Sequence, residues 1–328
     1  MSVSPAPPTR AGTVAIAGRP NVGKSTLLNA VIGVKLAIVS PQPQTTRNRI
    51  LAVKTTGSAQ LVLVDTPGIH RRRTGLNRFM VREALTSLDG VDCVLLVTEV
   101  DPRLTKGRDR ESDGRSIEAP AAAAPESVLH PHDRYVLAAI RERVQRAPLV
   151  LAINKIDQLA DRRALLPLID GWRQLGMHAI VPISALQHDG VDALVAELAA
   201  TLPEGPHLYP EDMLTDRAER FFAAELIREQ VLRQTRQEIP HATAVDIERF
   251  DERRERGDVV IAARIYVERP GQRAILIGAG GQQIKRIGTE ARQEIARLLG
   301  CPVHLQLEVA VADDWTRSAS GRQRFGYE

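Results

Sequence analysis

The feature that most constrains this chain is a glycine-containing loop near its N-terminus. Residues 18–26 read GRPNVGKST and fit the pattern G-x-x-x-x-G-K-[ST]. An apolar, strand-like run precedes the loop and an apolar, helix-like run follows it, which is the context in which this pattern binds phosphate. Backbone N–H groups then turn toward the anion, and the positive end of the helix faces it. The loop therefore predicts an α/β domain with a phosphate site; the alternative is a turn that binds nothing.

Individual residues of this loop have separate expected roles. Gly18 and Gly23 carry no Cβ, so the backbone can approach a phosphate closely. Lys24 is expected to reach the β- and γ-phosphates of a nucleotide, and the Ser25 hydroxyl is expected to hold Mg²⁺. The predicted nucleotide contacts in the loop are Gly18, Arg19, Pro20, Asn21, Val22, Gly23, Lys24, Ser25 and Thr26.

A D-x-x-G motif over residues 65–68 follows a strand-like hairpin. Alone, D-x-x-G is usually a turn, but one hairpin after a phosphate-binding loop it is typical of a nucleotide switch. We expect Asp65 to lie in the Mg²⁺ coordination sphere and the Gly68 N–H to sense the γ-phosphate. Ile69 stands where a water-orienting Gln would follow, so the pattern predicts slow intrinsic hydrolysis.

An N-K-x-D motif ends a later apolar, strand-like run and indicates which base is bound. The carboxylate of Asp157 can accept hydrogen bonds from the ring N–H and the exocyclic amine of guanine, a donor pair that adenine lacks. Lys155 is expected to pack along the base plane, and Asn154 to tie this loop to the phosphate-binding loop. Ser184 and Ala185 end the next strand, where a backbone N–H around Ala185 is expected to contact the guanine oxygen. GTP or GDP, with Mg²⁺, is therefore the predicted ligand.

Length and composition predict two domains. The nucleotide-binding domain is expected to cover residues 11–203, with a Pro- and Gly-rich linker at 204–214 and a second domain over 215–328. A Pro- and Ser-rich tail over residues 1–10 is predicted to be disordered. The segment over about residues 102–130 combines mixed charges with an alanine–proline tract, which predicts a disordered insertion. A partner-docking loop is the alternative for this insertion.

Cysteine usage, hydropathy and charge bear on the compartment and the partners. Cys93 and Cys301 are the only cysteines and have no metal-binding spacing, which favours a reduced, cytoplasmic compartment. The sequence contains no apolar run of membrane-spanning length and no signal-peptide pattern. The net charge of +4 divides into +5 before residue 206 and −1 from there on, so neither half is strongly basic and any nucleic-acid-binding surface must be local.

Beyond the linker, an amphipathic helix is predicted over residues 217–234, followed by strands around 243–250 and 259–267, two helices, the second ending near residue 299, and a final strand over 303–311. A G-x-x-G turn joins the two inner helices, which is the wiring of a type II K-homology module, an α+β fold in which this turn clamps single-stranded RNA. Residues 269–289 contain basic but no acidic side chains. The alternative is a helix–helix turn with a solvated basic face. The predicted RNA contacts are Ile277, Gly278, Ala279, Gly280, Gly281, Lys285 and Arg286.

With these motifs in this order, the chain resembles the Era family of bacterial GTPases. The resemblance covers nearly the whole chain and includes QTTR at residues 44–47, DTPGIH at 65–70 and IKRIGTEAR at 284–292. It implies GTP hydrolysis and binding to the 3′ end of 16S ribosomal RNA during maturation of the 30S subunit. The insertion near 102–130 departs from the family's usual pattern, and the G-x-x-G turn lacks the Lys that relatives often carry.

The resemblance also implies roles that the motifs leave open. Thr46 would meet Mg²⁺ when GTP is bound, and Asn21 would help to hold K⁺ against the phosphates. The alternative is that Asn21 only stabilises its loop. The predicted catalytic set is Lys24, Thr46, Gly68 and Asn21. A cytoplasmic monomer is expected, with peripheral association at the cytoplasmic face of the inner membrane implied by the family.

Two other functions fit part of the sequence. An RNA-binding scaffold could hold GTP only for stability, but the complete set of Lys24, Ser25 and Asp65 argues for hydrolysis. An ATP-dependent phosphotransferase would share the phosphate-binding loop, but the N-K-I-D motif argues against it. A GTPase assay addresses the first alternative, and competition between GTP and ATP addresses the second.

Overall fold

The computed structural model describes residues 9–42, 44–69, 75–100, 129–236, 238–253 and 255–327. The predicted tail, residues 1–10, lies outside the described residues except for its last two positions. The same is true of the predicted insertion, residues 102–130. Of those positions, Arg10 belongs to the first strand and Leu129 is buried.

The first domain is a six-stranded sheet between two layers of helices. Its strands are β1 (Arg10–Ala17), β2 (Ile50–Thr56), β3 (Ala59–Asp65), β4 (Cys93–Glu99), β5 (Leu149–Asn154) and β6 (Ala179–Pro182). Its helices are α1 (Lys24–Ile32), α2 (Gly75–Thr86), α3 (Pro131–Arg143), α4 (Leu165–Arg173) and α5 (Val191–Thr201). The strand order is β2-β3-β1-β4-β5-β6; β2 and β3 are antiparallel and the other pairs are parallel. The carboxyl ends of β1, β3 and β5 therefore meet at one edge, and the loops with the predicted motifs follow them.

Burial on both faces explains the apolar character of the central strands. Strands β1, β4 and β5 are nearly continuous apolar runs, which is typical of parallel strands covered by helices on two sides. Helices α1 and α5 pack on one face, where Leu27, Leu194 and Leu198 are buried. Helices α2, α3 and α4 pack on the other face, around Trp172. Two apolar cores thus hold the site-bearing edge of the sheet in place.

The second domain contains a three-stranded sheet covered by helices. Its elements are α6 (Glu219–Gln234), β7 (Ala244–Arg253), β8 (Asp258–Val267), α7 (Pro270–Ile277), α8 (Gln282–Leu299), β9 (Val303–Val311) and α9 (Ala319–Arg324). Strands β7 and β8 are antiparallel, β8 and β9 are parallel, and the order is β7-β8-β9. The predicted sequence of helices and strands is present, with the G-x-x-G turn between α7 and α8. Helix α9 follows the predicted module and was not predicted.

The segment predicted as a linker, residues 204–214, contacts β1 and β3 and reaches the free edge of β2 at its end. The Val53 N–H donates to the Leu214 carbonyl at 2.8 Å. The Gln60 side chain receives the Tyr209 N–H at 2.9 Å and donates to the Tyr209 carbonyl at 2.9 Å. These contacts make the segment a cover for the sheet edge as well as a connection.

Helix α6 is buried on more sides than an amphipathic surface helix. The sequence predicted an amphipathic helix over residues 217–234, and the structure begins it at Glu219. Arg228, Glu229 and Gln230 are each 2% exposed or less. These polar side chains are buried because α6 lies against the first domain, next to the segment that follows α1.

Candidate functional site

The phosphate-binding loop joins β1 to α1, which begins at Lys24. Gly23 has a φ of 98°, in the region that favours glycine, and a Cβ there would lie 2.3 Å from Asn154 Nδ2. The buried Lys24 ammonium donates to the carbonyls of Gly18 and Arg19, both at 3.1 Å. Burial lowers the pKa of Lys24 to about 8. A phosphate at this position would favour the charged ammonium.

Three side-chain oxygens converge beside this loop. The Ser25 hydroxyl lies 2.8 Å from Thr46 Oγ1 and donates to Asp65 Oδ2 at 2.9 Å, and Thr46 Oγ1 lies 3.5 Å from that carboxylate oxygen. Adjacent ligands of an octahedral Mg²⁺ are about 3 Å apart, so this spacing fits the ion. Within the described residues, buried Asp65 Oδ1 has no hydrogen-bond partner, and burial raises the pKa of Asp65 to about 6. Both features indicate a carboxylate that a cation would stabilise.

Gly68 packs directly against the phosphate-binding loop. A Cβ at Gly68 would lie 2.8 Å from the backbone nitrogen of Pro20, so a larger residue would collide with the loop. The next N–H, that of Ile69, donates to the Gly18 carbonyl at 3.2 Å. The Ile69 side chain is buried and apolar. It therefore has no group with which to orient an attacking water.

Asn154 links the base-binding loops to the phosphate-binding loop. Its Nδ2 donates to the Val22 carbonyl at 2.8 Å, as expected from the sequence. Its Oδ1 accepts the N–H groups of Lys155 at 2.8 Å and Ala185 at 3.0 Å. The Ala185 N–H, predicted to contact the guanine oxygen, is thus hydrogen-bonded to Asn154 in this structure.

Asp157 is exposed and does not itself line the cavity at the site. Its Oδ1 accepts a hydrogen bond from the Ser184 hydroxyl at 2.6 Å, which fixes the carboxylate. Lys155 lies close by, where its ammonium donates to the Asn21 carbonyl at 2.8 Å and pairs with Glu99. These contacts hold the base-binding loop against the phosphate-binding loop. Both border a cavity of about 440 Å³, which also reaches Thr26 and Thr46.

Sequence reasoning missed two carboxylates that brace the phosphate-binding loop. Arg19 pairs with Glu99 at 2.8 Å and with Asp133 at 3.1 Å. The Thr98 hydroxyl donates to Asp133 at 2.7 Å. The Arg19 side chain is therefore engaged by protein, which leaves its backbone for phosphate. The position of Glu99 at the carboxyl end of β4 was a usable signal; Asp133, in the first turn of α3, gave none.

The predicted RNA-binding turn is exposed at the junction of α7 and α8. Gly280 has a φ of 56°, and a Cβ at this position would have no atom of the described residues within 4 Å. Beside it, a groove of about 290 Å³ separates α8 from β9. Of the two basic residues predicted here, Lys285 lines the groove, whereas Arg286 donates to Gln234 Oε1 at 2.8 Å. The groove residues that the prediction omitted are Ile284, Gly288, Thr289, Arg292, Leu305 and Leu307.

Comparison with known proteins assigns both halves of the chain. Residues 13–155 match the family described as 50S ribosome-binding GTPase, and residues 238–316 match the KH domain. GTPase Era from Xylella fastidiosa is 44% identical over 323 residues, which are 98% of each protein. The chain belongs to the Era family of GTPases.

Two solved Era structures cover 97% of this chain and 99% of their own, at 37% identity. One, with a TM-score of 0.84, is a variant of Aquifex aeolicus Era bound to GDP and AlF4⁻. The other, with a TM-score of 0.85, is Era in complex with MgGDPNP and nucleotides 1506–1542 of 16S ribosomal RNA. The predicted family, enzyme class and fold, a P-loop GTPase domain followed by a K-homology domain, are confirmed.

Proposed function

We propose that this Era-family chain is a GTP-hydrolysing switch that binds the 3′ end of 16S ribosomal RNA and assists assembly of the 30S subunit. The observation that carries the proposal is the convergence of Ser25, Thr46 and Asp65 oxygens within 3.5 Å of one another. In GTPases, contacts to the γ-phosphate and its metal ion order a switch loop, so a loop hydroxyl beside the other metal ligands distinguishes GTP from GDP. The second domain carries the G-x-x-G turn proposed to bind RNA, and one solved Era structure is a complex with nucleotides 1506–1542 of 16S ribosomal RNA.

The predicted site residues have separate roles in binding GTP. Loop N–H groups and Lys24 hold the β- and γ-phosphates, and Asp157 selects guanine. Ser25, Thr46 and Asp65 would hold Mg²⁺, which when bound neutralises charge on the β- and γ-phosphate oxygens. The Gly68 N–H donates a hydrogen bond to the γ-phosphate. When the γ-phosphate leaves after hydrolysis, this hydrogen bond is lost and the loop over residues 65–68 is released.

Asn21 is the proposed ligand of a K⁺ ion beside the phosphates. Its Nδ2 donates to the Pro41 carbonyl at 3.0 Å, which joins the phosphate-binding loop to the segment containing Thr46. The amide oxygen is then the atom offered to a cation. A monovalent cation there would offset negative charge in the transition state, as an arginine finger does. In the alternative, the Asn21–Pro41 bond only fixes the loop.

The groove between α8 and β9 is the proposed binding site for the RNA bases. Its lining combines the apolar side chains of Leu305, Leu307 and Ile284 with the basic side chains of Lys285 and Arg292. Gly288 keeps it open, since a Cβ there would lie 3.3 Å from Leu307 Cδ1. The G-x-x-G turn would clamp the backbone, as in other K-homology modules.

The proposed partners are 16S ribosomal RNA and the 30S subunit. A monomer in the cytoplasm is the proposed working form, with peripheral association at the inner membrane as a further property of the family. Within the described ranges, no helix has the length and apolar character needed to cross a membrane.

The test combines phosphate release with RNA crosslinking in cells. We expect GTP to be hydrolysed slowly, excess ATP not to compete, and crosslinked fragments to map to the 3′ end of 16S ribosomal RNA. Equal competition by ATP would favour a phosphotransferase, and GTP binding without phosphate release would favour a scaffold. Fragments confined to other RNAs would overturn the proposed partner.

A further inference from the structure

Thr46 is anchored on both sides by the second domain. On one side, the Thr45 carbonyl accepts a hydrogen bond from Arg228 of α6, a residue that is 1% exposed and also donates to Glu225 at 2.8 Å. On the other side, the Arg47 side chain is 1% exposed and enters the second domain. The proposed metal ligand therefore lies between two anchors that the GTPase domain does not supply.

Arg47 is bound in what we call the arginine cage. The cage consists of the carbonyls of Pro240, His241 and Thr243 and the rings of Trp315 and Tyr327. Arg47 Nη1 donates to one carbonyl at 2.7 Å and Nη2 to the other two at 3.0 Å each. Its guanidinium carbon lies 5.8 Å and 5.5 Å from the two ring centroids. A planar group with several donors suits this cage, and a lysine ammonium matches it only in charge.

The rings of the cage also contact helix α2, which follows the D-x-x-G loop. Phe79 of α2 meets Tyr327 edge-on, with ring centroids 6.0 Å apart. Leu76 and Met80 of α2 belong to the same buried cluster. The Trp315 indole N–H donates to the Ala242 carbonyl at 2.9 Å, which fixes the ring. The cage is thus buried between the two domains rather than a contact at the surface.

We propose that Arg47 and Arg228 are positioning residues that hold the Thr46 hydroxyl at the metal site, so that the second domain controls the binding and hydrolysis of GTP but not the binding of GDP. The inference rests on the proposed function, because it takes Thr46 as a Mg²⁺ ligand in the GTP state. Anchors on both sides of Thr46 restrict the conformations of this loop before GTP binds. The conformational entropy lost when GTP orders the loop is therefore smaller. GDP has no γ-phosphate and does not need Thr46. By reciprocity, GTP also tightens the contact between the domains.

The first experiment measures nucleotide affinity on the full chain by calorimetry, with GDPNP and GDP in the presence of Mg²⁺. We expect Arg47→Ala to weaken GDPNP by about tenfold and GDP by less than about twofold, because only the GTP state uses Thr46. Arg47→Lys should be intermediate, and it carries the same test if the alanine variant does not fold. Arg49→Ala is the matched control, since Arg49 is exposed two residues further on. Equal weakening of both nucleotides, or no change, would overturn the proposal.

The second experiment asks whether Arg47 acts through Thr46. We expect Arg47→Ala to lower kcat by about tenfold and to raise the Mg²⁺ concentration needed for half-maximal hydrolysis. In a Thr46→Ala background the same substitution should have no further effect, because the group it positions is gone. Additive losses would show an independent structural role and overturn the inference. A wild-type protein that binds GDPNP without hydrolysing GTP would contradict only the proposed function, because the affinity measurements still decide the role of Arg47.

Discussion

At the scale of single residues, Asp157 is an exposed carboxylate fixed by one hydrogen bond from Ser184 at 2.6 Å. Xanthine carries an oxygen where guanine carries its exocyclic amine, and an amide N–H can donate to that oxygen. We expect Asp157→Asn to weaken GTP by at least about tenfold and to strengthen binding of xanthosine triphosphate, measured by calorimetry. Asp161→Asn is the control, because Asp161 is a nearby exposed carboxylate paired with Arg163. Unchanged GTP affinity in Asp157→Asn would remove this residue from the base site.

Asn21 allows a test with salts alone. If its amide oxygen holds K⁺, hydrolysis should be faster in KCl than in NaCl at equal ionic strength, and Asn21→Ala should abolish the difference. The readout is phosphate release under saturating GTP. If Asn21 only fixes Pro41 through its 3.0 Å hydrogen bond, the variant should slow the reaction equally in both salts. Equal wild-type rates in the two salts would contradict the cation site.

Residues were predictable where a motif specifies both type and spacing. Lys24, Ser25 and Asp65 were predicted as a set, and the structure brings them together because the loops that carry them follow parallel strands. Arg47 could not be predicted as an anchor, since its hydrogen-bond partners are three backbone carbonyls about two hundred residues further along the chain. Every residue has a backbone carbonyl, so the sequence does not indicate which carbonyls will accept these hydrogen bonds.

At the scale of elements, the turn between α7 and α8 offers a charge test with little steric effect. Gly280 has a left-handed conformation, which Asn and Asp tolerate best among the larger residues. We expect Gly280→Asp to weaken binding of a 16S 3′-end oligonucleotide by at least about tenfold, because a carboxylate would face phosphate. Gly280→Asn is the isosteric neutral control and should bind much better than Gly280→Asp. Wild-type RNA affinity in the folded aspartate variant would make the turn purely structural.

The first turns of α8 present two basic residues in different settings. Lys285 lines the groove, whereas Arg286 is tied to Gln234 of α6. We expect Lys285→Ala to reduce the slope of log affinity against log salt by about 0.7, the value for one phosphate contact on single-stranded RNA. Arg286→Ala should change the slope less. Equal changes for the two variants would show that both side chains reach phosphate.

Elements were predictable from periodicity more readily than from composition. Strand β9 was predicted over the residues that form it, 303–311. Helix α2 was not predicted, although Leu76, Phe79 and Met80 have helical spacing; it begins at a glycine, which has a low helix propensity. The burial of polar residues on α6 could not be predicted, since it depends on the other domain lying against them.

At the scale of the whole molecule, the two domains share a buried carboxylate on α6. Glu229 is fully buried and accepts from the Lys35 ammonium at 2.6 Å, the Val39 N–H at 2.9 Å and Arg233 at 3.0 Å. Two of these donors belong to the first domain. We expect Glu229→Gln to lower the free energy of unfolding by about 3 kcal/mol and to split one calorimetric transition into two.

The control for this change is Glu255→Gln, an exposed position on the turn between β7 and β8. It should leave the scan unchanged, because its side chain lies away from the contact between domains. A single transition at the wild-type temperature in Glu229→Gln would mean that the domains are joined by other contacts. Such a result would leave the arginine cage as the principal connection.

The segment that covers the edge of β2 limits where this protein can be truncated. An uncovered strand edge is a template for pairing with another molecule and hence for aggregation. The Leu214 carbonyl and the Thr215 hydroxyl, which donates to the Leu51 carbonyl at 2.7 Å, occupy this edge. A fragment ending near Pro203 would expose it, whereas one ending a few residues beyond Thr215 would retain its cover. The useful boundary for expressing the N-terminal half therefore lies past the proline-rich stretch rather than before it.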